Sequence, residues 1–358
     1  MTGAGAAHRG EGRAFAVKSR TVRVEDAVGM VLAHDQTRIV QGEFKGPAFR
    51  KGHVIRPQDV FLLREMGKEH IFVLDLEPGE VHEDEAGVRL GQAVAGPGVV
   101  RTAPKESRVN LLAACDGLLK VNLAALEAVN DLPEVVLATL PADTPVREGD
   151  MVAGTKVIPL VVREEVLEAA ERAAGGGVVS VVPYRPVDMG LIVTGSEILL
   201  GRIPDRFGPV MAEKAASFGC RLIRTVMAGD DAGRIADAVR EMIAAGARLV
   251  MVTGGMSVDP DDVTPQGIRL SGAVVEKYGA PVLPGAMFLL AYLDDVPILG
   301  VPACAMYYRT TIVDLVLPRL LTGERLTRSD INRMGHGGLC RTCPECRYPY
   351  CSFGKGGS

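Results

Sequence analysis

The most regular hydrophobic pattern of the chain lies between residues 184 and 326. Three continuous apolar runs predict buried strands, at residues 189–194, 222–226 and 248–253. Segments with helical periodicity follow the first two runs, at about residues 207–218 and 232–245. Apolar strands that alternate with helices of about 10–15 residues are typical of βαβ units and a largely parallel sheet. This part of the chain is therefore expected to be an α/β domain.

The same domain is expected to continue through four further elements. A helix begins near Asp262, and apolar runs at 288–293 and 297–301 flank Asp294 and Asp295 as an antiparallel hairpin. A closing helix is predicted at about residues 305–321, before Gly323. After Arg328 the chain becomes polar and rich in Gly and Cys, which predicts that the folded domain has ended.

Shorter elements precede the α/β domain. A helix over 58–66 and a strand over 71–74 are predicted first, and strands over 118–121, 135–139 and 157–162 come before a helix over 164–174. We therefore divide the chain into a flexible leader (1–16), an N-terminal α+β module (17–100), a small β-rich module with a helix (101–177), the α/β domain (184–326) and a Cys-rich tail (327–358).

Composition narrows the functional classes. The 358 residues carry a formal net charge of −4, there is no Trp, and aromatic residues make up 4%. A basic face or an aromatic stacking platform for nucleic acid is therefore not expected. No run approaches the roughly 18 apolar residues of a membrane span, and the N-terminus lacks the apolar core of a signal peptide. We expect a cytoplasmic protein that binds neither nucleic acid nor membrane.

Candidate chemistry lies where the three predicted strands end, because open α/β sheets bind ligands beyond the carboxyl ends of their strands. The residues at these ends are Thr194, Gly195, Ser196 and Glu197, then Asp230 and Asp231, then Thr253, Gly254, Gly255 and Ser257. Glycines let backbone N–H groups approach an oxyanion, and carboxylates next to a phosphate require a cation between them. The pattern predicts a Mg²⁺–phosphate or oxyanion site.

A structural explanation of the same residues stays open. Glycine after a strand can simply form the turn, and Asp or Ser before a helix is a preferred N-cap. Taken alone, Asp230 or Asp262 can be explained as such a cap. The Walker A motif and the G-x-G-x-x-G fingerprint are both absent, so P-loop and dinucleotide sites are not expected.

These residues carry a resemblance to a known family. Residues 194–198, Asp230 with Asp231, and Thr253-Gly254-Gly255 followed by residues 262–265 resemble the molybdopterin-binding domain. Molybdopterin adenylyltransferases, molybdopterin molybdenumtransferases, gephyrin and the competence-damage proteins share that domain. The resemblance covers about residues 187–323 and implies a three-layer α/β/α fold with a mostly parallel sheet, preceded here by β-rich modules.

The resemblance also implies roles for individual residues. Glu197, Asp230 and Asp262 are the implied catalytic acids, with Asp230 linked to Mg²⁺. The implied cofactor-binding positions are Thr194, Gly195, Ser196, Asp231, Thr253, Gly254, Gly255, Ser257, Thr264 and Pro302. The implied ligand is molybdopterin or its adenylate, with molybdate as a further substrate and a molybdoenzyme as a partner, in a homo-oligomer.

Two segments depart from the molybdenumtransferase pattern. Residues 280–287 lack the Lys of the family's P-G-K-P sequence, and residues 302–306 replace its P-G-N-P-x-S loop. Loss of a cation where an anion should bind affects molybdate insertion more than pterin binding. The thiols of Cys115, Cys220 and Cys304 are expected to be packing residues.

Three functions therefore remain. The first is a molybdopterin-binding protein of molybdenum-cofactor biosynthesis or insertion that acts on the pterin phosphate or adenylate with Mg²⁺. The second is a non-catalytic carrier or regulatory module with a metal-binding Cys tail. The third is a nucleotide pyrophosphatase similar to the competence-damage proteins, based on residues 259–264.

Four of the seven cysteines lie close together in the tail: Cys340, Cys343, Cys346 and Cys351. Four thiolates can complete the shell of a zinc ion, although ligands within twelve residues are cramped for zinc. The first three also resemble the C-x2-C-x2-C run of iron–sulfur proteins. The spacing favours a metal site over four unligated thiols and leaves zinc and an iron–sulfur cluster as alternatives.

Overall fold

The structure is a computed structural model that describes residues 19–40, 44–257 and 259–356. The predicted leader over residues 1–16 lies outside the described residues. Within the described ranges, no helix has the length and apolar character needed to cross a membrane.

The first folded part pairs short strands around a small core. Its elements are β1 (Ser19–Arg23), β2 (Gln36–Val40), β3 (Phe44–Phe49), α1 (Pro57–Glu65) and β4 (His70–Leu74). Strand β1 pairs antiparallel with β4, and β2 pairs antiparallel with β3. Leu32, Leu63 and Val73 are fully buried at the centre of the core. The predicted helix over 58–66 and strand over 71–74 are confirmed to within one residue.

The middle of the chain is rich in antiparallel strands. Its elements are β5 (Glu80–His82), α2 (Glu83–Val94), β6 (Val99–Arg101), β7 (Val109–Ala113), β8 (Gly117–Val121), α3 (Leu123–Asn130), β9 (Val135–Thr139), β10 (Pro145–Val146), β11 (Met151–Val157), β12 (Val161–Arg163), α4 (Glu164–Ala174) and β13 (Val179–Pro183). The strands form sheets of four, three and two in the orders β6-β7-β11-β9, β10-β8-β13 and β12-β5.

One hydrophobic core joins these elements from Val81 to Val181. Helices α2, α3 and α4 pack together over the sheets, and Leu90, Leu111 and Leu167 are buried between them. The predicted division at residues 100 and 101 falls inside this core, so the domain boundaries of this region stay a prediction. The single strand predicted over 157–162 is wrong, since β11 ends at Val157 and β12 begins at Val161.

The α/β domain follows, largely as predicted. Its elements are β14 (Asp188–Val193), α5 (Ser196–Leu199), α6 (Phe207–Ser217), β15 (Arg221–Met227), α7 (Ala232–Ala244), β16 (Leu249–Thr253), α8 (Thr264–Leu270), β17 (Val274–Tyr278), β18 (Leu289–Leu293), β19 (Val296–Val301) and α9 (Ile312–Leu321). The six strands have the order β15-β14-β16-β19-β18-β17. The first four are mutually parallel, and β18 and β17 add an antiparallel edge.

The sheet lies between two layers of helices. Leu191 and alternate residues of β14 pack with α6 and α9 on one side, whereas Ile192 packs with α7 and α8 on the other. Both residues are fully buried, as expected for parallel strands that are covered on both faces. The predicted three-layer α/β/α fold is confirmed.

The closing helix is shorter than predicted. A 3₁₀ turn occupies Ala303–Met306, and α9 begins only at Ile312, where Thr311 and Asp314 form a capping box. The helix predicted to begin near Asp262 begins at Thr264. In both places polar side chains close a turn before the helix, which apolar periodicity alone does not reveal.

The tail packs against the α/β domain, so the prediction that the folded domain ends near Arg328 is wrong. Helix α10 (Arg328–Arg333) buries Ile331, and Phe353 is only 3% exposed in the core beneath the sheet. Tyr348 packs against the same core, and its hydroxyl donates to the carbonyl of Asp314 at 2.9 Å. A few apolar anchors thus dock a segment that is otherwise polar.

Charged residues join the middle of the chain to the α/β domain. Lys120 of β8 pairs with Asp143 at 2.5 Å and also with Glu324, which lies beyond α9. Arg319 of α9 pairs with Glu324 at 2.8 Å. These groups are 16–30% exposed, so water screens them less than it screens a surface pair.

Truncating the Phe353 side chain tests the docking of the tail. Phe353→Ala should lower the free energy of unfolding by about 3–5 kcal/mol, the usual cost of removing a buried Phe. Leu339→Ala is the matched control, because Leu339 is apolar, lies in the same segment and is 67% exposed. It should change stability by no more than about 0.5 kcal/mol. Equal urea midpoints for both variants would show that the tail is not docked.

Candidate functional site

Four parallel strands bring their carboxyl ends to one edge of the sheet. Strand β14 lies between β15 and β16, and β16 lies next to β19. Residues that follow these strands therefore meet at one edge, although they are far apart in sequence. Most of the predicted site residues lie at this edge.

Three buried threonines fix the backbone at the centre of the edge. The Thr194 hydroxyl donates to the carbonyl of Thr253 at 2.9 Å, and the Thr264 hydroxyl donates to the carbonyl of Gly254 at 2.9 Å. The two hydroxyl oxygens lie 3.3 Å apart. All three threonines are at most 2% exposed. Their hydroxyls therefore hold the loop after β16 against the turn after β14.

This packing leaves no room for side chains at Gly254 and Gly255. Their φ angles are 85° and 55°, which favour glycine. A Cβ atom at either position would lie 2.7 Å from a threonine hydroxyl, that of Thr194 for Gly254 and that of Thr264 for Gly255. Glycine at both positions thus lets the loop pack closely against these two buried threonines.

A reciprocal pair of hydrogen bonds joins the ends of β14 and β15. The Ser196 N–H donates to Asp230 Oδ2 at 2.8 Å, and the Asp230 N–H donates to the Ser196 hydroxyl at 3.3 Å. Asp231 caps α7 by accepting from the Arg234 N–H at 2.9 Å. The capping explanation therefore accounts for Asp231, whereas Asp230 links two strand ends.

Glu197 and Ser257 are exposed at the same edge. Glu197 lies in the first turn of α5, and its carboxylate folds back over Gly195, whose φ is 122°. Pro302 is buried just beyond β19 and precedes the 3₁₀ turn that contains Cys304. Burial raises the pKa of the Cys304 thiol, which fits the packing role expected for it.

Asp262 closes the turn that leads into α8, where its carboxylate accepts from the Asp259 N–H at 3.0 Å. Tyr278, a residue that the sequence did not single out, faces the same loop. Its hydroxyl donates to the carbonyl of Met256 at 2.8 Å and lies 3.3 Å from that of Ser257. Burial, together with the nearby Asp262, raises the pKa of Tyr278. The hydroxyl therefore stays protonated and holds the loop.

Tyr278 could not have been found from local sequence. It lies on the antiparallel edge strand β17 and reaches the loop after β16 only through the fold of the sheet. No motif or periodicity marks it.

The edge combines a side-chain-free loop with several carboxylates. Glu197, Asp230 and Asp262 supply hard oxygen donors of the type that Mg²⁺ prefers. Within the described ranges, no group of three or more His, Cys, Asp or Glu side chains is arranged to hold a metal ion. This holds both for the edge and for the four thiols of the tail. Among the described residues, the arrangement thus provides separate oxygen donors near the Gly254–Gly255 loop without a complete metal site.

Comparisons with known proteins agree with this fold. Residues 190–322 match the family model described as "Probable molybdopterin binding domain". Residues 21–75 match a second model, which is described only as a domain of unknown function. The first match includes every predicted site residue of the edge.

A CinA-like protein from Mycobacterium leprae is 39% identical over 75 residues, which are 21% of this chain and 18% of that protein. A CinA-like protein from Mycobacterium sp. (strain JLS) is 37% identical over the same length. The chain therefore matches about a fifth of the length of these relatives.

Among solved structures, the molybdopterin biosynthesis enzyme MoaB from Thermus thermophilus is 18% identical, with a TM-score of 0.33. The match covers 38% of this chain and 98% of that one. At this level of similarity, a TM-score says nothing about function.

Alanine at Gly255 tests the packing of the loop. Gly255→Ala combines a left-handed φ with a contact on Thr264, whereas Gly175→Ala is a matched control with a φ of 58° and open space around it. The control should cost about 1–2 kcal/mol, the usual penalty for a left-handed alanine. The Gly255 variant should lose clearly more stability in urea unfolding. Equal losses would contradict the tight packing.

Proposed function

We propose that this protein binds molybdopterin or its adenylate as a substrate in molybdenum-cofactor biosynthesis or insertion, because residues 190–322 match the family model described as "Probable molybdopterin binding domain". The observation that carries the proposal is the Gly254–Gly255 loop, which lies at the carboxyl end of β16 and is held in place by two threonine hydroxyls. The carboxylates of Glu197, Asp230 and Asp262 surround it as the proposed catalytic residues.

Mg²⁺ is the proposed cofactor of this edge. A phosphate at the loop would be repelled by the carboxylates unless a cation lay between them. Mg²⁺ usually keeps several waters and takes one or two carboxylates together with substrate phosphates. An edge with separate carboxylates and no complete metal cage fits this mode of binding. When bound, the ion would neutralise phosphate charge and orient the phosphate for transfer.

Different residues of the edge would bind the phosphate, bind Mg²⁺ and shape the loop. The backbone of the Gly254–Gly255 loop binds the phosphate, and Ser196 and Ser257 offer hydroxyls beside it. Asp230 is the best-supported magnesium ligand, because its hydrogen bonds with Ser196 fix its carboxylate at the junction of two strands. Thr194, Thr253 and Thr264 act by shaping the loop, and Pro302 and Asp231 shape neighbouring turns.

Insertion of molybdate is the least supported step. In the segment over 280–287, which lacks lysine, the Leu283 N–H donates to the Gly338 carbonyl and the Leu283 carbonyl accepts from the Cys340 N–H, both at 2.8 Å. The backbone of this segment is thus engaged with the tail. This favours a role in binding or carrying the pterin, with a molybdoenzyme as the proposed partner, over a role in bringing in the metal.

A second candidate is the cleavage of a nucleotide pyrophosphate bond, which the resemblance of residues 259–264 to the competence-damage proteins implies. It would use the same loop and Mg²⁺ but no pterin. Incubation of the protein with molybdopterin, Mg²⁺ and ATP separates the candidates. Formation or cleavage of an AMP–pterin adduct indicates the enzyme, and tight pterin binding without turnover indicates the carrier. Nucleotide cleavage without pterin binding indicates the second candidate.

Removing one charge tests the site. Asp230→Asn keeps an oxygen that can accept from the Ser196 N–H but loses the negative charge. We expect the Mg²⁺-dependent part of pterin affinity to fall by at least about tenfold, since even indirect partners of a metal typically contribute that much. Affinity should be measured calorimetrically with and without Mg²⁺.

Asp237→Asn is the matched control, because Asp237 is an exposed carboxylate on α7 that pairs with Arg240 away from the loop. It should leave affinity unchanged. If Asp230→Asn binds the pterin as well as the unmodified protein in Mg²⁺, the proposed metal role of Asp230 is wrong. If neither the unmodified protein nor the Asp230→Asn variant binds the pterin at all, the proposed function is wrong.

A further inference from the structure

The tail contains a closed loop whose two ends meet. We call residues 337–354 the cysteine loop. The Gly354 N–H donates to the Gly337 carbonyl at 2.9 Å, and His336 Nδ1 lies 2.7 Å from the Gly356 carbonyl oxygen just outside. Leu339 forms a parallel bridge with Leu283 of the α/β domain. The loop is therefore held at its base, and its remaining residues depend on contacts of their own.

Those remaining residues form no regular secondary structure. No helix or strand lies between Cys340 and Ser352, and the loop contacts the core through the buried Phe353 and the partly buried Cys340, Tyr348 and Cys351. Thr342 adopts a φ of 49°, which is unfavourable for a β-branched residue. Small irregular segments of this kind are usually fixed by disulfides or by a bound metal. All four cysteines of the loop are free thiols.

The four thiols line one pocket. Cys340, Cys343, Cys346 and Cys351 all border a cavity of about 460 Å³, together with Tyr307 and Thr310 from the segment before α9. Two groups already contact sulfur. The Thr342 N–H lies 3.4 Å from Cys340 Sγ, and the Thr310 hydroxyl lies 3.2 Å from Cys346 Sγ. Hydrogen bonds of this kind support thiolate ligands in metal sites.

The charge of the pocket lining suits a thiolate centre. Arg309, Arg341 and Arg347 border the pocket, against the single carboxylate of Glu345, which gives a lining charge of +2. Four thiolates around a divalent ion carry a net charge of −2, four negative charges less two positive ones. The lining thus offsets the charge of such a centre.

We propose that the cysteine loop binds one thiophilic metal centre, a zinc ion or an iron–sulfur cluster, through Cys340, Cys343, Cys346 and Cys351. The four cysteines line one pocket, but no three of them are yet arranged to hold a metal ion, so the metal would draw the thiols together as it binds and complete the fold of the loop. The proposal concerns the tail and is independent of the function proposed for the sheet edge.

Tyr350 and Lys355 form a strap that connects the tail to the middle of the chain, and a bound metal would fix it. The Tyr350 hydroxyl donates to Asp150 at 3.1 Å, and Lys355 Nζ donates to the Thr144 hydroxyl at 2.6 Å. Thr144 and Asp150 both belong to the antiparallel middle of the chain. The loop itself lies on the α/β domain through Leu283 and Asp314. Cys346, Tyr348 and Thr310 also line a neighbouring cleft of about 710 Å³ with Arg147 and Asp150. A metal in the loop would therefore stabilise one wall of this cleft.

Metal analysis of the full chain, purified without oxygen, is the first test. We expect about one metal centre per chain, as for a complete set of four thiolate ligands. Zinc in a colourless protein identifies a zinc site, and iron and sulfide with absorbance around 400 nm identify a cluster. For protein purified without metal, titration with Co²⁺ should give thiolate-to-metal charge-transfer absorption.

The double variant C343S/C346S should bring bound metal down to background and abolish the cobalt absorption. Both thiols are exposed, so their replacement does not disturb the core, which near-unchanged far-UV circular dichroism will verify. Cys115→Ser is the matched control, since Cys115 lies outside the tail and should keep full metal content.

Limited proteolysis supplies a second readout. The double variant should be cut within residues 340–352 at least about tenfold faster than the control, because the open form of a loop governs its cleavage. Metal content and cobalt spectra that are the same in the double variant and the control would overturn the proposal. Recovery of the four thiols as two disulfides, with no metal bound under anaerobic conditions, would overturn it equally.

Discussion

The candidate site depends on two hydroxyl-to-carbonyl hydrogen bonds deep in the sheet edge. The hydroxyls of Thr194 and Thr264 reach the carbonyls of Thr253 and Gly254, and so tie together segments 70 residues apart. Because these groups are buried, losing one bond would leave an unsatisfied polar atom at a cost of about 1–3 kcal/mol. These two buried hydrogen bonds hold the loops after β14 and β16 together, and the exposed residues of the edge lie on these loops. The three buried threonines thus have a structural role at this edge.

Sequence alone could place the α/β domain because its strands are buried on both faces and its helices are strongly periodic. In the middle of the chain, the helix predicted over 164–174 has the same bounds as the observed α4 (Glu164–Ala174). Helix α2 was missed because Gly87 and Gly91 interrupt its pattern. Both glycines lie where another segment of the chain packs closely against the helix, and a Cβ at Gly87 would be 2.2 Å from the Ser107 carbonyl oxygen. The need for glycine therefore comes from that neighbouring segment, and the hydrophobic periodicity of the helix does not reveal it.

The candidate residues could be placed at one edge from sequence, because the carboxyl ends of neighbouring parallel strands meet at the same edge of a sheet. It could not assign their separate tasks. Asp230 and Asp231 are neighbours with the same side chain, yet one joins two strand ends and the other caps a helix. The docking of the tail escaped prediction for a related reason. The apolar anchors of the tail are too widely spaced to form a periodic pattern. Only the folded structure shows that Ile331, Tyr348 and Phe353 pack into or against the core of the α/β domain.

The strap formed by Tyr350 and Lys355 has a consequence for the order of folding. The middle of the chain and the α/β domain, with their ion pairs at Lys120 and Arg319, are both synthesised before this strap. The α/β domain, however, completes its core only when Phe353, which lies between Tyr350 and Lys355, has also emerged. The joint between the two parts is therefore closed together with that core, by a segment that is made after both.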